Sequence, residues 1–517
     1  MHRPIIIGAG HNGLVTAFYL AKAGLRPVVL ERRPLVGGIA TTEEIAPGLL
    51  GPALAHTLGP LRPSIVRDMR LKERGVEFIE PDPSVVALDH DGRRVAFHRD
   101  LAQAQRSIAA ISKHDADRYP EFAATLVRLA PVLREVLEMT PPDVDHPDRQ
   151  DLWRLLTAGR RFRALSKADA FRLIRWMPMA VADLVSEFFE SDLIQATIAA
   201  RALAGTNLGP WSAGTGALLL MYAASDSLPA GSSTTAKGSL GAVTQAMAKA
   251  AVEAGAEVRT GTAVTRIETG TDGVEAVRLE SGETIRASTV ISNADPRRTF
   301  LSLLDPTVLE PGFVHRVSNY RARGTTAKLN LLVSESPFGS AIGAGPAARL
   351  HIGPGVDYLE RAFDASKYGR WSEHPWLDVA VTDAGQGGTG LRVLSVMAHF
   401  APYHLRETTW TTARDPFADT IIRLLDTYSP GLAANVMARE MFSPVDLEER
   451  YALTGGHIHH GEPGLDQLFI MRPVMGWARY HTPVRGLYLC GSGTHPGLGL
   501  TGASGQNAAR EILRSLR

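Results

Sequence analysis

The sequence predicts an α/β protein in which one lobe, a sheet with its helices, is assembled from both ends of the chain, and a mixed-sheet lobe with a helical cap is inserted between them. Three observations predict it. A strand–glycine turn–helix–strand unit opens the chain, "PIIIGAGHNGLVTAFYLAKAGLRPVVLE" at 4–31. The strand "GLYLC", the glycine-rich "GSGTHPGLGLTGASG" and a final helical run close it at 486–517. A length of 517 residues exceeds what one compact core sustains, so two or three lobes are expected.

Each part of the opening unit has a physical task. Ile5 to Ile7 read as a short buried strand, and Gly8, Gly10 and Gly13 form G-x-G-x-x-G. Leu14, Ala17, Phe18 and Ala21 repeat at helical spacing, and Gly24 ends that helix. Gly8 permits the tight turn, Gly10 lets backbone approach a pyrophosphate, and Gly13 lets helix and strand pack closely. The helix N-terminus offers unpaired N–H groups and the positive end of its dipole to phosphate. Glu31, closing the second strand, can accept from both hydroxyls of a ribose and repels a 2′-phosphate. Strand before, helix after and an acid about 20 residues on make this a dinucleotide site rather than a glycine turn of an unrelated unit. "GQGGTG" at 385–390 matches the same pattern, but "WLDVAVTD" before it and "LRVLSVMAHF" after it are both strand-like, so it is expected to be a hairpin loop. No second unit of the kind is visible, and a separate NAD(P)H domain is not expected.

Bulk composition narrows the class. Lys plus Arg number 55 against 54 Asp plus Glu, which argues against a dedicated nucleic-acid binder. Cys490 is the single cysteine, so an intramolecular disulfide and a Cys-based zinc site are excluded, in keeping with a reducing compartment. The apolar run starts at residue 4, leaving no room for a leader, and "GALLLMYAA" at 216–224 is far short of a membrane span. The expected location is cytoplasmic, with a peripheral membrane contact as the alternative taken up below.

"ERRPLVGGIATTEEIAPG" at 31–48 extends the opening unit, with Gly37–Gly38 six residues past the acid. Glu31, Arg33, Gly37 and Gly38 resemble the E-x-R-x-x-x-G-G extension of glutathione-reductase-2 type FAD folds, shared by amine oxidases and carotenoid desaturases. "GLYLCGSGTHPGLGLTGASGQNAAREIL" resembles the C-terminal motif of phytoene-dehydrogenase-like flavoproteins, which include carotenoid desaturases and retinol saturases, and "VISNADP" at 290–296 matches their middle segment. "GVDYLERAFDASKYGRWSEHPWLDV", "APYHL" and "DQLFIMRP" look like the pyridine nucleotide-disulfide oxidoreductase domain 2 branch. The resemblance spans the chain and implies FAD.

It also implies a set of cofactor-binding positions: Gly8, Gly10, His11, Asn12, Gly13, Glu31, Arg32, Arg33, Gly37, Gly38, Ala40, Thr41, Val264, Asn293, Gly491, Ser492, Gly493, Leu500, Thr501, Gly502 and Ala503. Val264 falls where relatives hold the adenine by backbone contacts. Gly491–Ser492 fall where many relatives carry Gly-Asp, so a serine hydroxyl stands in for the acid. Thr501 to Ala503 open the last helix, whose N-terminus in the family faces the flavin N1–C2=O edge, where reduced flavin is anionic and a helix dipole is stabilising. The implied lobes are a discontinuous FAD-binding domain of 1–70, 235–300 and 465–517, and a substrate domain of 71–234 and 301–464 with its helical cap at about 100–234.

Flavin oxidation of carbon asks the protein for orientation and a dry pocket rather than a catalytic triad. The expected reaction is desaturation or oxidation of a C–C or C–N bond in an apolar or amphipathic small molecule, with oxygen, a quinone or another carrier as electron acceptor. A reduced-flavin saturase or redox-neutral isomerase is the enzymatic alternative; a flavin-bearing interaction protein of low turnover is the alternative of another class. His56, His460 and Tyr480 are the candidate catalytic or pocket-lining side chains. For His56 a hydrogen-bonded structural role competes with acid–base work. His495 in "GTHPG" is expected to hold its loop. "GGHIHHGE" at 455–462 holds three imidazoles that do not converge in a strand, so no metal is expected there. Cys490, ending a buried strand, reads as a small core residue, and covalent flavin attachment has no support. "WRLLTAGRRFRALSKADAFRLIRW" at 153–176 carries seven basic residues and one acid, Asp169, interleaved with Trp153, Phe162, Phe171 and Trp176. A solvated basic helix face with an ordinary core side is the preferred reading, and a membrane-docking patch the functional one.

Overall fold

The structure, a computed structural model, describes residues 3–143, 146–334, 337–338, 348–384 and 390–516. The chain opens with β1 (Ile5–Ile7), α1 (His11–Lys22) and β2 (Val28–Leu30). Much later come α2 (Leu240–Glu253), β3 (Glu257–Arg259) and β4 (Val290–Ser292), and at the C-terminal end β5 (Leu487–Leu489) and α3 (Ala503–Ser515). These strands form one sheet in the order β5-β4-β1-β2-β3, every neighbouring pair parallel. Runs such as Ile-Ile-Ile and Val-Val-Leu suit strands covered on both faces, and β1 and β2 are buried throughout. Between β3 and β4, the strands Val264–Gly270, Gly273–Leu279 and Thr284–Arg286 form an antiparallel sheet of their own.

Glycine lets α1 sit close to its neighbours. A Cβ on Gly13 would meet the Gly8 carbonyl oxygen at 2.2 Å, and one on Gly505 would meet the Asn12 oxygen at 2.2 Å. The first turn of α3 therefore lies against the first turn of α1. Asn12 bridges them, its Oδ1 accepting from the Gly505 N–H at 3.2 Å and its Nδ2 donating to Ser492 Oγ at 3.3 Å.

The second lobe is built on a seven-stranded sheet in the order Val436–Phe442, Thr326–Val333, Arg392–His399, Trp376–Asp383, Arg349–Ile352, Val85–Leu88, Arg94–Phe97. All pairs are antiparallel except Arg349–Ile352 with Val85–Leu88, which joins strands more than 250 residues apart in sequence. The sheet is thus mixed, as expected. Trp376–Asp383 and Arg392–His399 pair with Asp383 opposite Arg392, which makes them the two arms of a hairpin. Residues 385–389 of "GQGGTG" lie outside the described residues.

Strand alternation gives this sheet two different faces. Leu329, Leu331, Leu350, Ile352, Leu377, Val379, Leu394 and Val396 are buried in one cluster with the helix Trp410–Tyr428. The intervening residues, including Lys328, Asn330, Arg349, His351, Trp376, Asp378, Ser395 and His399, belong to the other face. A cap of helices from Leu101 to Asp226 has its own apolar core, centred on Phe122, Trp176, Phe188 and Phe189.

Candidate functional site

The ends of β1, β4 and β2 create the first cavity, of about 930 Å³. Gly8, in the left-handed region at φ 93°, turns the chain out of β1, and Gly10 caps α1. Asn293, the residue directly after β4, lies over this turn: a Cβ on Gly10 would meet Asn293 Nδ2 at 2.7 Å. Gly37, at φ 119°, donates to the Ala9 carbonyl at 2.8 Å, which brings the Gly37–Gly38 pair beside Gly10. Gly8, Gly10, His11, Asn12, Glu31, Arg32, Arg33, Gly37, Gly38, Val264, Asn293 and Ser492 all line the cavity, joined by Arg298, Tyr451 and His460. The Glu31 carboxylate is buried and aimed by two main-chain donors, Ala9 N–H at 2.7 Å and Arg33 N–H at 2.9 Å. Each oxygen keeps a lone pair for a further donor. Arg33 is held by Glu43, which also pairs with Arg450.

Of the remaining expected positions, Leu500 lines the second cavity described below, and the others support these walls and line neither cavity. Gly13 is the helix–strand contact described above. The Ala40 carbonyl accepts from Thr244 Oγ1 at 3.1 Å and Thr41 Oγ1 donates to Glu43 at 2.6 Å, fixing the loop behind Gly38. Gly491 and Gly493 pack where a Cβ would strike the Asn293 oxygen at 2.7 Å and Pro296 Cδ at 2.3 Å. Thr501, Gly502 and Ala503 form the start of α3, with Gly502 at φ 69° and the Thr501 oxygen accepting from Arg62 N–H at 3.1 Å.

A second cavity, of about 1110 Å³, adjoins the first; His11, Ile39, Ile458 and Ser492 line both. One wall is apolar, from Leu54, Leu58, Met397 and Leu500. The cap contributes Arg201 and Tyr222, and the polar sheet face contributes Arg349, Asp378 and His399. His56 lines it at the centre of a buried chain of contacts. Lys328 donates to Ser395 Oγ, Ser395 Oγ lies 3.1 Å from His56 Nδ1, and His56 Nε2 is 3.8 Å from Asp378 Oδ1. With Lys328 donating, the Ser395 hydrogen is left for His56 Nδ1, which places the ring hydrogen on Nε2, toward Asp378. Asp378 Oδ2 accepts from Arg349 at 2.8 Å, and Arg201 pairs with Asp226 at 2.7 Å. Burial pushes Lys328 down to about 7 and drives His56 well below the ordinary histidine value, with Lys328 and Arg349 adding to the latter. Burial also raises Asp378. His399 stacks on Trp376 at 3.9 Å, is pushed down to about 3 by burial, and has no partner on either ring nitrogen among the described residues.

The other two candidates lie elsewhere. His460, in the left-handed region at φ 58°, lines the first cavity rather than the second, and its Nδ1 has no partner among the described residues. Burial and nearby Arg472 push it down to about 3, and burial with nearby His460 does the same to His11, whose Nε2 is also unpartnered among the described residues. Tyr480 is buried and lines neither cavity; its hydroxyl donates to the His495 carbonyl at 2.8 Å. His495 in turn ties its loop to the cap through the Val136 carbonyl, 2.9 Å from Nε2. The three imidazoles of "GGHIHHGE" make separate contacts. His457 faces Glu462 at 3.5 Å and His459 Nε2 lies 2.9 Å from the Ala204 oxygen. Cys490 is fully buried in the core of the first lobe.

Sequence reasoning did not single out Lys328, Asp378, Ser395 or His399. Part of the signal was present: in "TTAKLNLLV" polar residues recur at every second position, and Asp378, Ser395 and His399 interrupt strands that are otherwise apolar. Arg472 was missed as well, since a lone arginine carries no pattern.

The first cavity suits FAD on its own features. Main-chain amides of α1, a glycine cradle that side chains would fill, an oriented acid at the ribose distance in sequence and unpartnered buried nitrogens on His11 and His460 form the donor and acceptor set of a dinucleotide. Comparison with known proteins agrees. The pyridine nucleotide-disulfide oxidoreductase domain-containing protein 2 of Rattus norvegicus is 33% identical, covering 99% of this chain and 93% of its own. The lycopene-forming phytoene desaturase of Pantoea ananas is 26% identical, covering 98% and 97%. The solved cyclohexylamine oxidase of Brevibacterium oxydans shares the fold at a TM-score of 0.58 and 18% identity, covering 100% and 99%. The profile described as flavin-containing amine oxidoreductase matches residues 13–513, so the chain belongs to that family of FAD-dependent oxidoreductases.

Proposed function

We propose that this flavoprotein oxidises a C–C or C–N bond of an amphipathic small molecule bound in the second cavity. The observation that supports the reading is the junction of the two cavities at His11, Ile39, Ile458 and Ser492, which sets a cofactor cleft end to end with a substrate-sized chamber. FAD held by Gly8, Gly10, Glu31, Gly37 and Ser492 would supply a two-electron acceptor for hydride from carbon, with oxygen, a quinone or another carrier as the final oxidant. The chain's own part is placement, exclusion of water and handling of the second proton. His56 and Asp378 line the chamber; Asp378, with the His56 Nε2–H 3.8 Å from its Oδ1, is the acceptor for the proton lost from the atom next to the oxidised carbon, and His56 positions it. Leu54, Leu58, Met397 and Leu500 give the substrate an apolar wall, while Arg349, His399 and Arg201 face its polar part. The names of the similar proteins, a phytoene desaturase and a cyclohexylamine oxidase, cover the two bond types.

The test is the visible absorbance of the purified protein, followed anaerobically. Bleaching of an oxidised flavin by an amphipathic amine or alkene, and not by NADPH, is the expected result. Bleaching by NADPH alone overturns the direction of the chemistry.

A further inference from the structure

Among the described residues no helix is long and apolar enough to cross a membrane. Two consecutive cap helices, Arg149–Arg163 and Lys167–Trp176, nevertheless present a surface at odds with free solvation. Their inner sides pack on the cap: Phe162, Leu165, Leu173 and Trp176 all join its apolar core. Their outer sides expose Leu152, Trp153, Leu155, Leu156, Phe171 and Ile174, with Trp153, Phe171 and Ile174 each at 60% or more. Positions 152, 153, 155 and 156 fall within one stripe of a helix, as do 171 and 174. An ordinary solvent-facing helix scatters such residues singly.

Of the basic residues on these helices, Arg161, Arg172 and Arg175 are ion-paired, with Glu135, Glu121 and Glu187. Arg160, Arg163 and Lys167 are exposed and have no ion-paired carboxylate among the described residues, and Arg160 lies over the Trp153 ring at 5.8 Å. Both acids of the 149–176 stretch are turned inward: Asp151 is buried against Arg479 and Asp169 against Arg128.

We infer that this face docks the protein on an anionic lipid surface, with Trp153, Leu156, Phe171 and Ile174 entering the acyl boundary and the unpaired cations meeting the headgroups. A symmetric contact with a second copy would set the same cations against each other. Nucleic acid would leave the aliphatic residues without an apolar phase. The inference stands apart from the oxidation chemistry, although the cap helices Asp192–Leu203 and Thr215–Asp226 that line the substrate chamber belong to the same apolar core.

The experiment is co-sedimentation of the full-length flavoprotein with vesicles of phosphatidylcholine alone and of phosphatidylcholine with phosphatidylglycerol. Binding to the mixed vesicles that falls roughly tenfold or more on phosphatidylcholine alone, and again in molar salt, is expected. Leu156→Ser/Phe171→Ser, at exposed positions that leave the core intact, is expected to abolish it, and Arg160→Glu/Arg163→Glu to weaken it as strongly. Brominated acyl chains should quench wild-type tryptophan fluorescence but have no such effect on Trp153→Phe, which is expected still to sediment. Failure to bind either vesicle overturns the inference, as does binding that both double variants retain. A dimer in solution that Leu156→Ser/Phe171→Ser converts to monomer also overturns it, by assigning the face to a second copy.

Discussion

Arg472 donates to the Ser492 carbonyl from both Nε, at 3.2 Å, and Nη2, at 2.7 Å, while fully buried. The same guanidinium reaches the carbonyls of His459, at 2.8 Å, and of Gly461, Glu462 and Gln467, each at 3.3 Å. One cation thus clamps the segment that carries His460 to the glycine loop that carries Ser492, and both line the cofactor cavity. A lysine ammonium cannot span this many carbonyls from one point. Arg472→Lys is therefore expected to lower stability by on the order of 3 kcal/mol and to release FAD more readily. Thermal melting and the flavin-to-protein absorbance ratio of the purified variant measure the two effects.

Two glycines separate contact from conformation. Gly13 has ordinary backbone angles, yet a Cβ there would sit 2.2 Å from the Gly8 oxygen. Gly24 is at φ 90° with nothing within 4 Å of an added Cβ. Gly13→Ala should push α1 off β1 and yield protein without flavin. Gly24→Ala should cost about 1–2 kcal/mol of strain and keep its flavin. Similar flavin loss in both variants would mean that close packing is not what Gly13 supplies.

Glu31 is oriented by the Ala9 and Arg33 amides. Glu31→Gln retains the length but replaces one acceptor oxygen with a donor, which must then turn away from one of those amides. FAD affinity is expected to fall roughly tenfold, with little change in the melting temperature of the apoprotein. Fluorescence titration of apoprotein with FAD reads the first quantity.

The cofactor end of the molecule was legible because its constraints are local. Gly8, Gly10 and Gly13 act on one turn and the helix that follows, Glu31 closes the adjacent strand, and a spacing rule covers all four. The pairing of Arg349–Ile352 with Val85–Leu88 was not legible, since no short-range pattern links segments so far apart. Nor was the chamber's polar wall. Lys328, Asp378 and Ser395 come from three strands; the sheet register sets Ser395 diagonally across from Lys328, and the separate loop that carries His56 closes on Ser395. His56 was found by its distance from the glycine pair, whereas Tyr480, next to an equally suggestive motif, faces the core. Proximity in sequence to a cofactor loop does not set the direction of a side chain.

The depressed value of Lys328 makes a pH prediction with a definite sign. Its ammonium is buried, and the lysine titrates near 7 in the folded protein against an ordinary value of 10.5. Below about pH 7 the folded and unfolded chains are both protonated at this site, and the folded state bears the full cost of the buried charge. Between 7 and 10.5 the unfolded chain holds the proton and the folded one has lost it, so this site's contribution to stability rises with pH. Lys328→Met removes the titration. The melting temperature of the variant minus that of the wild type should be largest below pH 7 and shrink steadily as pH rises above it. The same substitution removes one of the positive charges that depress His56, so the acidic limb of the rate profile, where His56 gains its proton, should move to higher pH. A melting difference that does not vary with pH would show that Asp378 keeps the ammonium charged throughout, and would assign Lys328 to holding Ser395 rather than to exchanging protons.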